Sequence, residues 1–424
     1  MYDVIVIGGG PAGMMAAGRA GQLGQSVLLL EKNKELGVKL LMTGKDRCNV
    51  THFTEDKNEL IEAYGRQGRF LYSSFAQFGN LETMQFFEGW GVRLKVERGQ
   101  RVFPVSDRSS DIRQALLAFL DKSKATIRTR ETVVGIESDG EKISQIALSS
   151  GEVLRAKKYI ITTGGLSYPA TGSTGDGYDW ARGLGHTIIE PRPALSPIVV
   201  KNWFIKELEG LSLRNVELSI FQDNKKVESR FGEMLFTKTG ISGPIVLDLS
   251  KKVGELLGDK AGLISPASQL KNRDLKDIVL KLDLKSALDF AKLDKRIQRD
   301  FQAGNNKQFK NILENLLPKK LIPVIIKMSK INPDKQVNLI TKKERKTLLK
   351  LLKTFPLKLE KLLGFEKAII TTGGIYLKEI NSSTMQSRLI NNLYFAGEIL
   401  DLDGPTGGYN LQVAWSTGWV AGSN

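Results

Sequence analysis

The stretch that decides the fold is Tyr2-Asp3-Val4-Ile5-Val6-Ile7-Gly8-Gly9-Gly10-Pro11-Ala12-Gly13-Met14-Met15-Ala16-Ala17. Tyr2 to Ile7 reads as an apolar strand, Gly8 to Gly13 as a glycine turn, and Met14 to Ala20 as the start of a helix. A second apolar strand, Val27 to Leu30, ends on Glu31. This is G-x-G-x-x-G in its working context: strand before, helix after, acid at the next strand's tip. Gly8 permits a tight turn, Gly10 lets backbone approach a pyrophosphate, and Gly13 lets the helix pack on the strand. The helix N-terminus favours negative charge, and Glu31 is placed to accept hydrogen bonds from a ribose diol. The expected fold class is α/β, with a Rossmann-like dinucleotide-binding domain.

Working outward, glycine marks the domain boundaries. Residues 191–363 hold 8 of the 42 glycines, so the two chain ends form the loop-rich nucleotide fold and the middle is an insert. We expect a discontinuous nucleotide domain at 1–190 and 364–424. A β-barrel-like insert on the substrate side is expected at 191–283 and about 354–363, and a helical subdomain at 284–353. In the first segment, Phe70 to Trp90 has helical spacing and Val92 to Val105 reads as a hairpin. Thr126 to Ile136 and Ile143 to Leu148 read as strands of a small antiparallel layer. In the insert, strands are expected at Ile198–Val200, Leu213–Phe221 and Met234–Thr237, interrupted by Thr239 to Pro244.

Composition excludes several classes. Cys48 is the sole cysteine, so no disulfide and no dithiol redox pair forms within the chain. His52 and His186 are the only histidines and have no metal-ligand spacing. No stretch approaches the ~20 apolar residues of a membrane span. The strand beginning at Tyr2 and carrying Asp3 does not resemble a signal peptide, so a cytoplasmic protein is expected. The net charge is +16. Between Lys271 and Lys361 there are 24 Lys and Arg against 10 Asp and Glu, a surplus of 14. Such a field could attract RNA, anionic lipid or an acidic partner; a solvated lysine-rich helical face is the simpler and favoured explanation.

Three glycine-freed strand ends are expected at one sheet edge: Gly8 to Gly13, Thr163-Gly164-Gly165, and Gly397-Glu398. NAD needs only the first. A longer cofactor with a ribityl chain and a tricyclic ring uses more, with Glu398 on a ribityl hydroxyl. The helix after Gly407-Gly408 would aim its positive end at the flavin's pyrimidine side. FAD is therefore favoured.

IVIGGGPAGMMAA, LLEKNKELGVKLLMTGKDRCNVT, TTGGLSYPATGSTGDGY, LFTKTGISGP, a second TTGG and NLYFAGEILDLDGPTGGYNLQVAWSTGWVAG span almost the whole chain. Together they resemble the three-domain bacterial flavoproteins that include aminoacetone oxidase and the BaiN-like flavin reductases. The resemblance implies an FAD domain from both chain ends, an inserted barrel and a helical subdomain. It also implies FAD contacts at Ala12, Glu31, Lys32, Lys39, Gly44, Thr163, Gly164, Glu398, Gly408 and Asn410, and a backbone contact from Val133 to adenine. Similar proteins tend to have glycines just before Arg-Cys-Asn, where this chain has Lys45-Asp46.

The flavin carries the difficult chemistry, so the protein need only position a small organic substrate against it. No second strand–GxGxxG–helix unit follows, so NAD(P)H would dock transiently, or oxygen would reoxidise a substrate-reduced flavin. Tyr168 and Tyr409, on glycine-rich loops, are the candidate substrate contacts. Cys48 reads as an inert buried thiol and His186 as a packed side chain. No catalytic residue is assigned. The alternative is an FAD-dependent tRNA-modifying enzyme using the basic insert; the sequence interleaves no obvious aromatic platform with those lysines, which weighs against it.

Overall fold

A computed structural model describes residues 1–257 and 278–424. The start of the lysine-rich stretch, 271–277, and part of the expected barrel span, 258–277, lie outside the described residues. The chain forms two units, Met1–Pro193 with Phe365–Asn424, and Ala194–Gly364.

The first unit is built on a parallel sheet. Its strands are β1 (Tyr2–Ile7), β2 (Val27–Glu31), β3 (Thr126–Thr129), β4 (Ala156–Ile161) and β5 (Leu393–Phe395), in the order β5-β4-β1-β2-β3. β2 is buried throughout, as expected of a strand covered on both faces. Helix α1 (Pro11–Gln22) starts with proline at a first-turn position, where its missing N–H costs nothing. Helix α2 (Ser109–Lys122) packs on α1 at Gly18, where a Cβ would lie 2.3 Å from the Phe119 ring.

The last helix, α3 (Tyr409–Ser423), closes the unit against α1. A Cβ on Gly418 would fall 2.4 Å from the Ala12 carbonyl oxygen, and one on Gly422 2.3 Å from that of Ala16. The two glycines thus let the first and last helices meet backbone to backbone. α3 is buried from Gln412 to Gly418, so its polar groups need partners. Gln412 Oε1 accepts from Thr51 Oγ1 at 2.5 Å, and its Nε2 donates to Thr83 Oγ1 at 3.0 Å. Trp415 Nε1 donates to the Val50 carbonyl at 2.9 Å.

Two expectations need correction. Thr126–Thr129 pairs in parallel with β2. Only Val133–Ser138 joins Ile143–Leu148 and Val153–Leu154 in the antiparallel layer. The chain changes sheet at Arg130, whose φ of 61° is left-handed. The span Phe70 to Trp90 is also not one helix. It divides into Tyr72–Gln77 and Asn80–Gly89, because Phe78 leaves the helical region (φ −153°, ψ 85°) and Gly79 caps the second helix.

The second unit holds a seven-stranded antiparallel sheet. Its order is Phe355–Leu357, Ile278–Asp283, Ser212–Gln222, Lys225–Phe236, Gly240–Ser242, Ile198–Val200, Leu359–Leu362. The two edge strands are separated in sequence by Lys358 alone. A single residue spans only ~3.5 Å, so the sheet curls until its edges meet, which is a barrel. Lys225–Phe236 is a long, largely exposed strand whose charge hid it from sequence reading. Helix Pro244–Leu256 follows the glycine-rich interruption. Helices Phe290–Ala303, Ile322–Ser329 and Lys342–Lys353 share one core with the strands, through residues such as Leu293, Val324 and Leu348. Among the described residues, no helix is long and apolar enough to cross a membrane.

Candidate active site

The parallel register determines where the site lies. Ile7 pairs with Leu30 on one side and Ile161 on the other, and Ile161 pairs with Phe395. The residues that follow, Gly8 onward, Glu31, Thr162 to Gly165, and Ala396 to Glu398, therefore emerge at one edge of the sheet. This is the carboxyl edge, where doubly wound folds bind ligands.

The first turn is tightly built. Gly8 has φ 108°, and a Cβ there would lie 2.7 Å from the Thr162 carbonyl oxygen. A Cβ on Gly13 would fall 1.9 Å from the Gly8 oxygen. Thr162 Oγ1 donates toward the Ile7 and Gly8 carbonyls, at 3.0 and 2.8 Å, and so ties β4 to the turn. Gly397 (φ 82°) sits against the start of α1, where its Cβ would meet that of Ala12 at 2.8 Å. Gly10 is different: nothing lies within 4 Å of the position its Cβ would take.

Glu31 is buried, and both of its oxygens are engaged. Gly9 N–H donates to Oε2 at 2.7 Å and Asn33 N–H to Oε1 at 2.7 Å. Each oxygen retains a second lone pair for a diol. Glu131 N–H donates to the Glu31 carbonyl at 3.0 Å, which brings the segment before Val133 beside the strand tip. Lys32 forms an ion pair with Asp176 at 2.7 Å. Asn33 Nδ2 donates to the Thr171 carbonyl at 3.0 Å. The loop bearing Tyr168 is thus drawn toward the residues that follow β2. Tyr168 itself is left-handed (φ 54°, ψ 60°), a costly conformation for a bulky residue.

At the other end, Lys39 and Glu398 form a 2.8 Å ion pair, and Thr371 N–H donates to the second Glu398 oxygen at 2.8 Å. Sequence reading missed Thr371, although a signal was present in the repeated Thr-Thr-Gly-Gly. The two copies dock on each other: Thr371 Oγ1 accepts from Leu166 N–H at 2.8 Å and Ser167 N–H at 3.1 Å. A Cβ on Gly165 would lie 2.4 Å from that oxygen. Thr163 turns its hydroxyl inward, where it is buried and a Cβ on Gly177 would sit 2.2 Å away.

The turn into α3 combines Gly407 (φ 123°) and Gly408 (φ 103°). A Cβ on Gly408 would clash with the Thr51 backbone at 2.3 Å. Asn49 was also missed: with its amide nitrogen toward the Thr51 and Val102 carbonyls, its oxygen accepts from Gly408 N–H at 3.1 Å. The Asn410 side chain closes the loop, accepting from Gly404 N–H and donating to the Gly404 carbonyl, both at 2.9 Å. What Asn410 offers outward is its backbone in the first turn of α3. Tyr409 stacks on His52 (centroids 4.5 Å, 22°) and meets Tyr64 edge-on at 5.8 Å. Burial lowers the pKa of His52, which favours the neutral ring.

Gly44, Lys45, Asp46 and Cys48 all have φ between 58° and 65°. The loop therefore keeps a left-handed path at three non-glycine positions, Lys45, Asp46 and Cys48. It is anchored by Ser109, whose N–H donates to the Asp46 carbonyl at 2.9 Å and whose hydroxyl donates to the Leu41 carbonyl at 2.8 Å. Cys48 is buried, and desolvation pushes its thiol up to about 12. His186 is packed, with Nε2 at 2.9 Å from Ser387 Oγ and Nδ1 at 3.2 Å from Glu379.

These residues fit FAD. The open face of Gly10 lies where α1 presents first-turn N–H groups, which have no carbonyl one turn back. A buried acid stands at the β2 tip, and a third glycine turn opens a helix at the far end. The fold and this edge define a Rossmann-type flavoprotein, an FAD-dependent oxidoreductase. Over residues 2–424 the chain matches the model described as HI0933-like protein Rossmann domain, and it belongs to that family. It is 29% identical to the 3-dehydro-bile acid delta(4,6)-reductase of Clostridium scindens, over all of this chain and 98% of that one. It is 30% identical to the ribosomal RNA dihydrouridine synthase of Escherichia coli, over 99% of this chain and 96% of the relative. Among solved structures, a flavocytochrome c3 fumarate reductase shares the fold, with a TM-score of 0.51 and 17% identity over all of this chain and 77% of the other.

Proposed function

We propose that the chain is an FAD-dependent reductase that saturates a carbon–carbon double bond conjugated to a carbonyl, with NAD(P)H as a transient electron donor. The sheet edge fitted for FAD carries this proposal, and the relatives' names give the substrate class. A 3-oxo compound with double bonds at positions 4 and 6 and a uracil ring both present such a bond. Bound FAD would supply the two-electron step, taking hydride from a dihydronicotinamide and giving it to the substrate's β-carbon. A proton must then reach the α-carbon, so that C=C becomes CH–CH while NAD(P)H becomes NAD(P)+.

The chain's own part is positioning. Gly8 to Gly13 and the start of α1 would hold the pyrophosphate, and Glu31 the adenosine ribose. Gly165 and Gly397 let the strand ends pack closely on Thr371 and Ala12, and Glu398 with Lys39 would line the cofactor's ribityl side. The amino end of α3, at Gly407 to Asn410, would lie toward the pyrimidine side of a bound flavin, where a helix N-terminus favours negative charge. Tyr409 is the group we assign to proton delivery, with its ring held by His52 and Tyr64. Cys48 takes no part, because its buried thiol stays protonated.

A second substrate reading is a uridine within RNA. The surplus of 14 positive charges between Lys271 and Lys361 favours it, as does the full-length likeness to a ribosomal RNA dihydrouridine synthase.

The test is an anaerobic titration of the FAD-loaded protein with NADPH and NADH, followed by a conjugated enone or by ribosomal RNA. One nucleotide should bleach the flavin, and the acceptor should restore its colour. In Tyr409→Phe, bleaching should persist while recovery slows at least tenfold. No bleaching, with peroxide formed from primary amines in air, would replace the reductase by an amine oxidase.

A further inference from the structure

We propose that the second unit carries a docking platform for single-stranded RNA, built on Trp203 and the lysines that folding gathers around it. The proposal rests on the reading of the substrate as a uridine in RNA and says how that RNA is held.

Trp203 is 49% exposed, which is unusual for so large an apolar ring. The ring is not loose. Phe204, its neighbour, is buried and meets it edge-on at 5.5 Å, and Phe204 packs on Phe355 at 5.0 Å. A core aromatic therefore fixes the base of an indole whose outer part faces water. Lys327, from helix Ile322–Ser329, places Nζ 3.9 Å from the indole centroid. Lys201 N–H donates to the Lys358 carbonyl at 2.8 Å, and Lys358 N–H donates to Asn202 Oδ1 at 2.8 Å. Lys358 is thereby set beside the turn that bears Trp203. Lys320 reaches the same turn, donating to the Glu209 carbonyl at 2.7 Å.

The turn alone is balanced, with Lys201 and Lys206 against Glu207 and Glu209. The excess charge arrives from Lys320, Lys327 and Lys358. Ion pairs elsewhere in the unit absorb Lys310, Lys335, Arg345 and Lys353. Lys201, Lys327 and Lys358 are exposed and have no carboxylate partner among the described residues. An anchored, exposed indole among unneutralised ammonium groups is what a single strand needs: a face for a base and cations for its phosphates. A base can take the place of Lys327 on the ring while the ammonium moves to the adjoining phosphate. Sequence order hides the platform, because Trp203 lies on the barrel side and Lys327 on a helix far along the chain.

The test uses the full-length, FAD-loaded protein and a fluorescein-labelled, uridine-rich RNA oligonucleotide, with anisotropy read at several salt concentrations. Wild type should bind with clear salt dependence. Trp203→Ala should bind about tenfold more weakly, while Trp203→Phe should keep most of the affinity. Lys201→Glu with Lys358→Glu should weaken binding and lower the log–log salt slope by about 1.4. Flavin bleaching by NADPH should be unchanged in all three. Equal binding by wild type, Trp203→Ala and the charge-reversed variant would overturn the platform. So would a wild type that binds no RNA but buries Trp203 on self-association, seen as a concentration-dependent fluorescence shift absent from Trp203→Phe. The RNA-substrate reading fails separately, if ribosomal RNA incubated with enzyme and NADPH gains no dihydrouridine.

Discussion

Lys39 and Glu398 stand at opposite ends of the sequence and meet at 2.8 Å just beyond β5. The pair is partly buried, with the two side chains 20% and 23% exposed. It fastens the loop after β2 to the last strand of the sheet. A cofactor laid along that edge would meet both residues together.

Glu398→Gln should therefore loosen the cofactor more than the fold. The amide keeps one acceptor for Thr371 N–H but loses the charge that holds Lys39. Removing a charge-assisted hydrogen bond costs about 1.5–3 kcal/mol, so FAD should bind about ten- to a hundredfold more weakly. Flavin fluorescence on titrating apoprotein gives the affinity, and unchanged binding would remove Glu398 from the site.

Two glycines separate fold from site. Gly13→Ala places a methyl 1.9 Å from the Gly8 oxygen, so it should destabilise the apoprotein by at least 2 kcal/mol on the scale of overpacked cores. Gly10→Ala meets no protein atom within 4 Å. It should leave the apoprotein's melting temperature within about two degrees of wild type, since surface changes stay within ~0.5 kcal/mol, yet sharply weaken FAD binding. Thermal melts with and without FAD check both. A Gly10→Ala protein with normal FAD affinity would show that the open face of Gly10 is not used.

The loop at Lys45 offers a stability test. A left-handed lysine costs about 1–2 kcal/mol, and glycine's extra chain entropy returns about 0.5–1 kcal/mol of that. Lys45→Gly should therefore stabilise the protein by about 0.5 kcal/mol, while β-branched Lys45→Ile should destabilise it. Urea midpoints report both signs.

Cys48 gives a pH test. Burial raises the folded thiol from 9.0 to about 12, so the native state holds its proton where the unfolded chain has released it. The stability it contributes is fully present below pH 9 and is lost as pH rises toward 12. Cys48→Ala should flatten the fall in unfolding free energy across that window. An alkylating reagent should label wild type at pH 8 only after denaturation.

Much of the nucleotide unit was legible in the sequence, because its elements are set by local chemistry. The strand from Tyr2, the glycine turn and Glu31 announce themselves by period and residue type. Other features depend on contacts between distant segments. Thr371 supports the loop after β4 through a hydroxyl, which no periodicity marks. The left-handed path at Lys45 and Asp46 is imposed by anchoring at Ser109, against local preference. The strand Lys225–Phe236 carries its charges outward on a curled sheet, so its alternation is blurred. Trp203 and Lys327 become neighbours only when the barrel and the helices share a core.

The most direct measurement is the flavin content of the purified protein. The account predicts a yellow protein that releases one FAD per chain on denaturation, or a colourless apoprotein that takes up one FAD when it is supplied. A folded protein that contains no flavin and binds none would contradict it.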